Sequence, residues 1–127
     1  MNAGFAKAAA VMVLVLALPF AARAADRKDA ELAMTEAGTT IESAERADAA
    51  QYAATDLNDA HDMLGSAQAA FDHHKWLESV FSAGNAKADA NLAAARARQH
   101  RAEAATAEIE TTVRSLREQL GIAGEQP

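Results

Sequence analysis

The chain contains no cysteine, which excludes disulfides, thiolate metal ligands and a cysteine-linked lipid. Its two prolines, Pro19 and Pro127, leave everything between them free of the strongest helix breaker. Aromatic residues are scarce, with one Trp, one Tyr and four Phe, so any core has few large rings to draw on. Alternating runs of β-branched residues are absent as well, which argues against strands. There is no Ser-centred nucleophile motif and no phosphate-cradling glycine loop. Basic charge is in deficit, at 12 Lys and Arg against 18 Asp and Glu. An acidic chain makes a poor partner for nucleic acid or an anionic membrane surface, and neither is expected.

The sequence opens with a segment of a different kind. Lys7 is the single charge before the apolar run Ala8 to Leu18, Pro19 ends that run, and Ala22-Arg23-Ala24 places small residues where a signal peptidase reads. Residues 1–24 therefore read as a cleavable secretory signal. The run is shorter than the roughly 20 apolar residues a spanning helix needs. The expected product is exported to a bacterial periplasm, with secretion into the medium as the fallback, and it carries neither a membrane span nor a lipid anchor. Cleavage removes Lys7 and Arg23 but no acid, leaving a net charge of −8 in place of −6.

About a quarter of the remainder is alanine, the best helix former, and its length fits a single domain over 25–120. The expected fold is all-α: an antiparallel three-helix bundle or hairpin with a long, partly overhanging C-terminal helix. A first helix over 27–50 carries Ala30, Met34, Ala37, Ile41, Ala44 and Ala47 on one stripe. Arg27 and Lys28 suit its positive end poorly, so its start is expected to fray. Gly38 weakens its middle and is expected to admit a close neighbour. A second helix over 56–72, with Thr55 as N-cap, carries the heptad-like seam Leu57, Ala60, Leu64, Ala67 and Phe71. The polar run Asp72-His73-His74-Lys75 supplies a turn, His74 being tolerant of a left-handed backbone.

The third helix, over 76–120, shows two adjoining stripes. Trp76, Val80, Ala83, Ala90 and Ala97 form one; Leu77, Phe81, Ala88, Leu92 and Ala95 form the other. Two stripes predict two packing partners. Gly121 ends the helix and 121–127 reads as a flexible tail. At ~1.5 Å per residue the second helix covers less than half of the third, so the third overhangs from about Gln99 unless it kinks. Past Arg101 the apolar pattern narrows to Ala102, Ala105, Ile109, Val113, Leu116 and Leu120, a coiled-coil seam lacking a partner. Self-association, or docking of an envelope protein, is expected there. The large core contributors are expected to be Leu57, Leu64, Phe71, Trp76 and Phe81, with Tyr52 beside them.

The stretch Ile41 to Gln99 resembles the bacterial family catalogued as domain of unknown function 4398. The resemblance is carried by Tyr52-Ala53-Ala54-Thr55-Asp56-Leu57 leading into the second helix, by Ala60, Leu64 and Ala67, and by the turn His74-Lys75-Trp76. Ala54 stands where the family has proline and His74 where it has glycine. The resemblance implies a periplasm-facing helical module of the kind found on envelope lipoproteins or beside peptidoglycan-binding domains. It brings no catalytic residues.

Candidate chemistry is sparse. His61, His73, His74 and His100 lack the three- or four-residue helical spacing of a metal site. Adjacent His73 and His74 are the weak metal candidates and otherwise read as solvated turn residues. Glu31, Glu42, Glu45, Asp59 and Asp62 read as solubilising helix faces, with no apolar pocket to shift a pKa. Arg96, Arg98 and Arg101, beside His100, form the one basic concentration. It reads either as a site for an anionic partner or as internal pairing with the acid-rich first helix. No cofactor is implied. The expected function is that of a non-enzymatic periplasmic scaffold or interaction protein. The alternative is a small-ligand or metal-binding periplasmic protein of a chaperone-like kind.

Overall fold

The computed structural model describes residues 24–121; the expected signal through Arg23 and the tail past Gly121 lie outside these residues. Four helices follow in order: α1 (Arg27–Arg46), α2 (Ala49–Tyr52), α3 (Ala54–Asp72) and α4 (Trp76–Gln119). Cross-helix pairs set their directions. Glu36 meets Lys87 and Asp48 meets Arg101, so α1 and α4 run parallel. Ser79 meets Ala67 and Arg96 meets Asp56, so α3 runs antiparallel to α4. The architecture is an all-α bundle dominated by one long helix, and no strand occurs among the described residues.

Local chemistry fixes the helix ends. Where fraying was expected, α1 starts with a capping box. The Asp29 N–H donates to Asp26 Oδ1 at 3.0 Å, and the Asp26 N–H donates to Asp29 Oδ2 at 3.1 Å. Two unsatisfied helix-end donors are thereby paired reciprocally. The first helix also ends earlier than the expected residue 50. Asp48 takes φ 65, a left-handed backbone that interrupts α1 after Arg46 and sets off the four-residue α2. Asp is one of the few residues that adopts this conformation without a large penalty. Thr55 is not the N-cap of α3. That position falls to Ala53, whose side chain makes no capping bond. The turn after α3 contains His74 at φ 58, and Gly121 follows α4 at φ 67.

The core is made of methyl groups. Ala30, Ala37, Ala44, Ala60, Ala67, Ala83, Ala86, Ala90, Ala93 and Ala97 are all fully buried, joined by Ile41 and Leu57. Ser79 is the largest side chain with no exposure, and its Oγ donates to the Ala67 carbonyl at 2.9 Å. Small side chains at the contact bring helix axes toward the short end of the ~8–10 Å range.

The aromatic core expected from the sequence needs correction. Phe71 and Trp76 are half-buried, meeting edge to face at 5.1 Å beside the α3–α4 turn, with Arg27 over the Phe71 ring. Leu64 is also half-buried and Leu57 fully so. Phe81 is 70 % exposed. The reason is helical phase. Phe81 lies two residues from Ser79, about 160° around α4, and Ser79 faces the bundle. The second stripe of α4 therefore does not pack on a neighbour, because both partners are met by Ser79, Ala83, Ala86, Ala90, Ala93, Ala94 and Ala97.

Two stability consequences follow from this packing. Ala90→Leu should overfill the seam and cost about 1–3 kcal/mol, whereas Phe81→Ala should change stability by less than about 0.5 kcal/mol. Urea unfolding of the two variants separates them. Gly38 does not serve close packing, since a Cβ there would meet nothing within 4 Å. Gly38→Ala should thus stabilise α1 by about 1 kcal/mol, read as a higher Tm.

Candidate interaction surface

Beyond the bundle α4 continues alone. Every residue from Arg98 to Gly121 is exposed, and the helix runs without a break from Trp76 to Gln119. It neither breaks nor folds back onto the bundle near Gln99. The overhang stays helical because the bundle has already nucleated it, and extending an existing helix is far easier than starting one. Alanine supplies propensity and Gln99 Nε2 donates to Glu103 Oε1 at 2.9 Å, while the Thr106, Thr111 and Thr112 hydroxyls are satisfied by carbonyls four residues earlier. The Gln99 bond, reinforced by neighbouring His100, holds the Glu103 carboxyl below its ordinary pKa.

Ile109, Val113, Leu116 and Leu120 lie on this overhang as an exposed stripe. Ile109, Val113, Glu110, Arg114 and Arg117 line a shallow groove of about 590 Å³ along it. The stripe continues backward along the outer face of α4. Leu120, Leu116, Val113, Ile109, Thr106, Ala102, Gln99, Ala95, Leu92 and Ala88 recur at alternating spacings of four and three. Leu92 is 42 % exposed and Leu116 50 % exposed. At 3.6 residues per turn this heptad line lies opposite the alanine face that packs on α1 and α3. Leu92, expected from its stripe to pack within the bundle, instead lies on this outer line. Its heptad spacing to Ile109 and Leu116 was the signal that joins it to the overhang.

The basic residues do not form one patch. Arg96 and Arg98 are about 160° apart around the helix. Arg96 Nη1 donates to Asp56 Oδ1 and Oδ2 at 2.7 and 2.8 Å, tying α4 to α3. Arg101 Nη1 donates to Asp48 Oδ2 at 3.1 Å, tying α4 to the α1–α2 link. Asp48 falls within the span 27–50 expected of the first helix, in line with the internal pairing expected there, whereas Asp56 belongs to α3. Arg98 is exposed and forms no ion pair among the described residues. His73 and His74 sit in the α3–α4 turn, His74 edge-on to Trp76 at 5.2 Å. Among the described residues no three His, Cys, Asp or Glu side chains are grouped to hold a metal ion. A second groove, of about 410 Å³, runs between α1 and α3 beside Met34, Leu64 and Phe71. Among the described residues no helix is long and apolar enough to cross a membrane.

Asp56 is the better-sheltered acid of these pairs, with its side chain 13 % exposed against 53 % for Arg96. It also sits in the first turn of α3, where negative charge is favoured. Asp56→Ala should therefore lower stability by about 1 kcal/mol, while Arg98→Ala should leave it within about 0.5 kcal/mol. Chemical denaturation of the two variants side by side checks this difference.

No curated protein and no solved structure matches the chain. Residues 32–109 match the family described as Domain of unknown function (DUF4398). That span takes in most of α1, all of α2 and α3, and α4 as far as Ile109, so Val113, Leu116 and Leu120 lie beyond it. With well over half its length matched, the chain belongs to the DUF4398 family.

Proposed function

We propose that this protein is a non-enzymatic helical scaffold of the bacterial cell envelope, working in the periplasm after removal of residues 1–24. The observation that carries the reading is the uncovered end of α4. A helix of some twenty residues stands clear of the bundle with Ile109, Val113, Leu116 and Leu120 on one exposed line. Leaving apolar side chains in water forgoes roughly 1.5–3 kcal/mol apiece, and rows of them mark interaction surfaces. The bundle holds this surface away from its own body, as a scaffold requires. Its side chains also suit an interaction role better than catalysis. Most described carboxylates sit on exposed helix faces, and the sheltered one, Asp56, is taken up by its ion pair with Arg96, without the apolar pocket that poises a catalytic acid or base.

Crosslinking in intact cells, followed by affinity capture, tests the proposal. Wild-type protein should retain defined envelope partners in periplasmic extract, its N-terminus should read Ala25-Asp26, and Leu116→Asp should lose those partners while keeping the wild-type Tm. Retention of the N-terminal segment, or capture indifferent to Leu116→Asp, would sink the reading.

A further inference from the structure

Resting on that reading of α4 as an interaction surface, the geometry points to a second copy of this chain as an occupant. The two α4 helices run antiparallel, outer face to outer face, about a twofold axis at Ala104. Three observations converge on this arrangement.

The first is length. The overhang from Arg98 to Leu120 is similar in extent to the outer face of α4 within the bundle, from Trp76 to Ala97. In an antiparallel pair the overhang of each copy lies along the bundle segment of the other. The α1 and α3 helices occupy the opposite side of each α4, so both bundles stay outside the seam. From Ala88 to Leu120 the overlap spans roughly 50 Å at ~1.5 Å per residue. A seam of that length falls in the standard interface class of roughly 1,200–2,000 Å².

The second is apolar register. With Ala104 on the axis, Leu92 faces Leu116 of the second copy, Ala95 faces Val113, Ala88 faces Leu120, and Ala102 faces Thr106. Large residues on one helix meet small ones on the other except at two layers: Leu92–Leu116, where two exposed leucines cover each other, and Gln99–Ile109, where the Gln99 amide keeps its bond to Glu103. Alternating large and small layers is how two helices interdigitate without voids.

The third is charge. In an antiparallel pair, the positions that follow the stripe on one side face their own kind across the seam. Here they are Asp89, Arg96, Glu103, Glu110 and Arg117. Centred on Ala104, Asp89 meets Arg117 and Arg96 meets Glu110, each twice. Moving the register by one heptad either way sets Glu103 against Glu110 and Arg96 against Arg117, or Asp89 against Glu110. Asp89, Glu110 and Arg117 make no hydrogen bond or ion pair among the described residues. Arg96 uses Nη1 toward Asp56, and a guanidinium has further donors in its fork. The other side of the stripe carries Gly84, Asn91, Arg98, Ala105, Thr112 and Gln119, and no like charges meet there. The single like-charge meeting is Glu103 with its own copy at the axis, where Gln99 and His100 already bond each carboxylate.

Sedimentation of the chain, purified as the cell produces it, tests the pairing. Wild-type protein should dimerise reversibly, and Leu116→Asp should raise the dissociation constant at least ~100-fold. Residue 116 lies outside the bundle, so an unchanged Tm shows that the fold survives. Arg117→Glu and Asp89→Arg should each weaken the dimer ~10-fold, and the double variant should return near wild type. Glu103→Gln should tighten it. Under oxidation Ala105→Cys, facing itself across the axis, should form a disulfide dimer, and Thr112→Cys should not. A monomer at all concentrations, or failure of the charge swap to rescue, overturns the inference, as does preferential crosslinking at residue 112. A monomer that still captures envelope partners through Leu116 would overturn self-pairing and leave the scaffold reading intact. A dimer that captures none would do the reverse.

Discussion

Everything in this fold depends on how closely two helices can approach α4. Alanine at Ala83, Ala86, Ala90, Ala93 and Ala97 lets α1 and α3 settle against it with facing alanines of their own, Ala37, Ala44, Ala60 and Ala67. Each buried methyl contributes only about 0.8 kcal/mol, so no single side chain anchors the structure. Cohesion comes instead from many short contacts along a closely packed seam, where dispersion between well-matched atoms accumulates. Such a seam does not tolerate bulk. The large apolar residues of α4 therefore find no room inside and are turned outward.

That displacement links stability to function. In an ordinary bundle Phe81, Leu92 and Leu116 would be spent on the core. Here the alanine face holds the fold, and the large residues remain available on the opposite face and on the overhang. Ion pairs reinforce the same division. Arg96 and Arg101 reach back to Asp56 and Asp48 and fasten α4 to the bundle, while Glu110, Arg114 and Arg117 are left beside the exposed stripe.

Periodicity made much of this legible in the sequence. The stripe Ala30, Met34, Ala37, Ile41, Ala44 and Ala47 and the seam Leu57, Ala60, Leu64 and Ala67 face inward as their spacing required, because helical phase is a property of sequence alone. The turn at His74 and the overhang of α4 were equally accessible, one through backbone tolerance and the other through length. What escaped was that one of the two apolar stripes on α4, both expected to pack, would stay in water. Hydrophobicity favours the face with Leu77, Phe81 and Leu92, yet close approach favours the alanine face, and only tertiary packing decides between them. The interruption at Asp48 escaped for a similar reason. A left-handed aspartate leaves no glycine or proline as a marker, and its acid is held by Arg101, distant in sequence. As for the candidate site, the overhanging stripe was visible from residue 109 onward. Its backward extension to Leu92 was not, because that leucine had been given to the core.

The unbroken run of α4 through two environments has a further consequence. Its first half unfolds only with the bundle, as part of one cooperative unit, whereas its second half opens turn by turn from the C-terminal end. One helix therefore carries a gradient of protection against amide exchange and proteolysis along its length. Because helical order propagates from turn to turn, whatever clasps the outer end also suppresses fraying toward the bundle. The rod thus transmits occupancy at its tip as rigidity at its root.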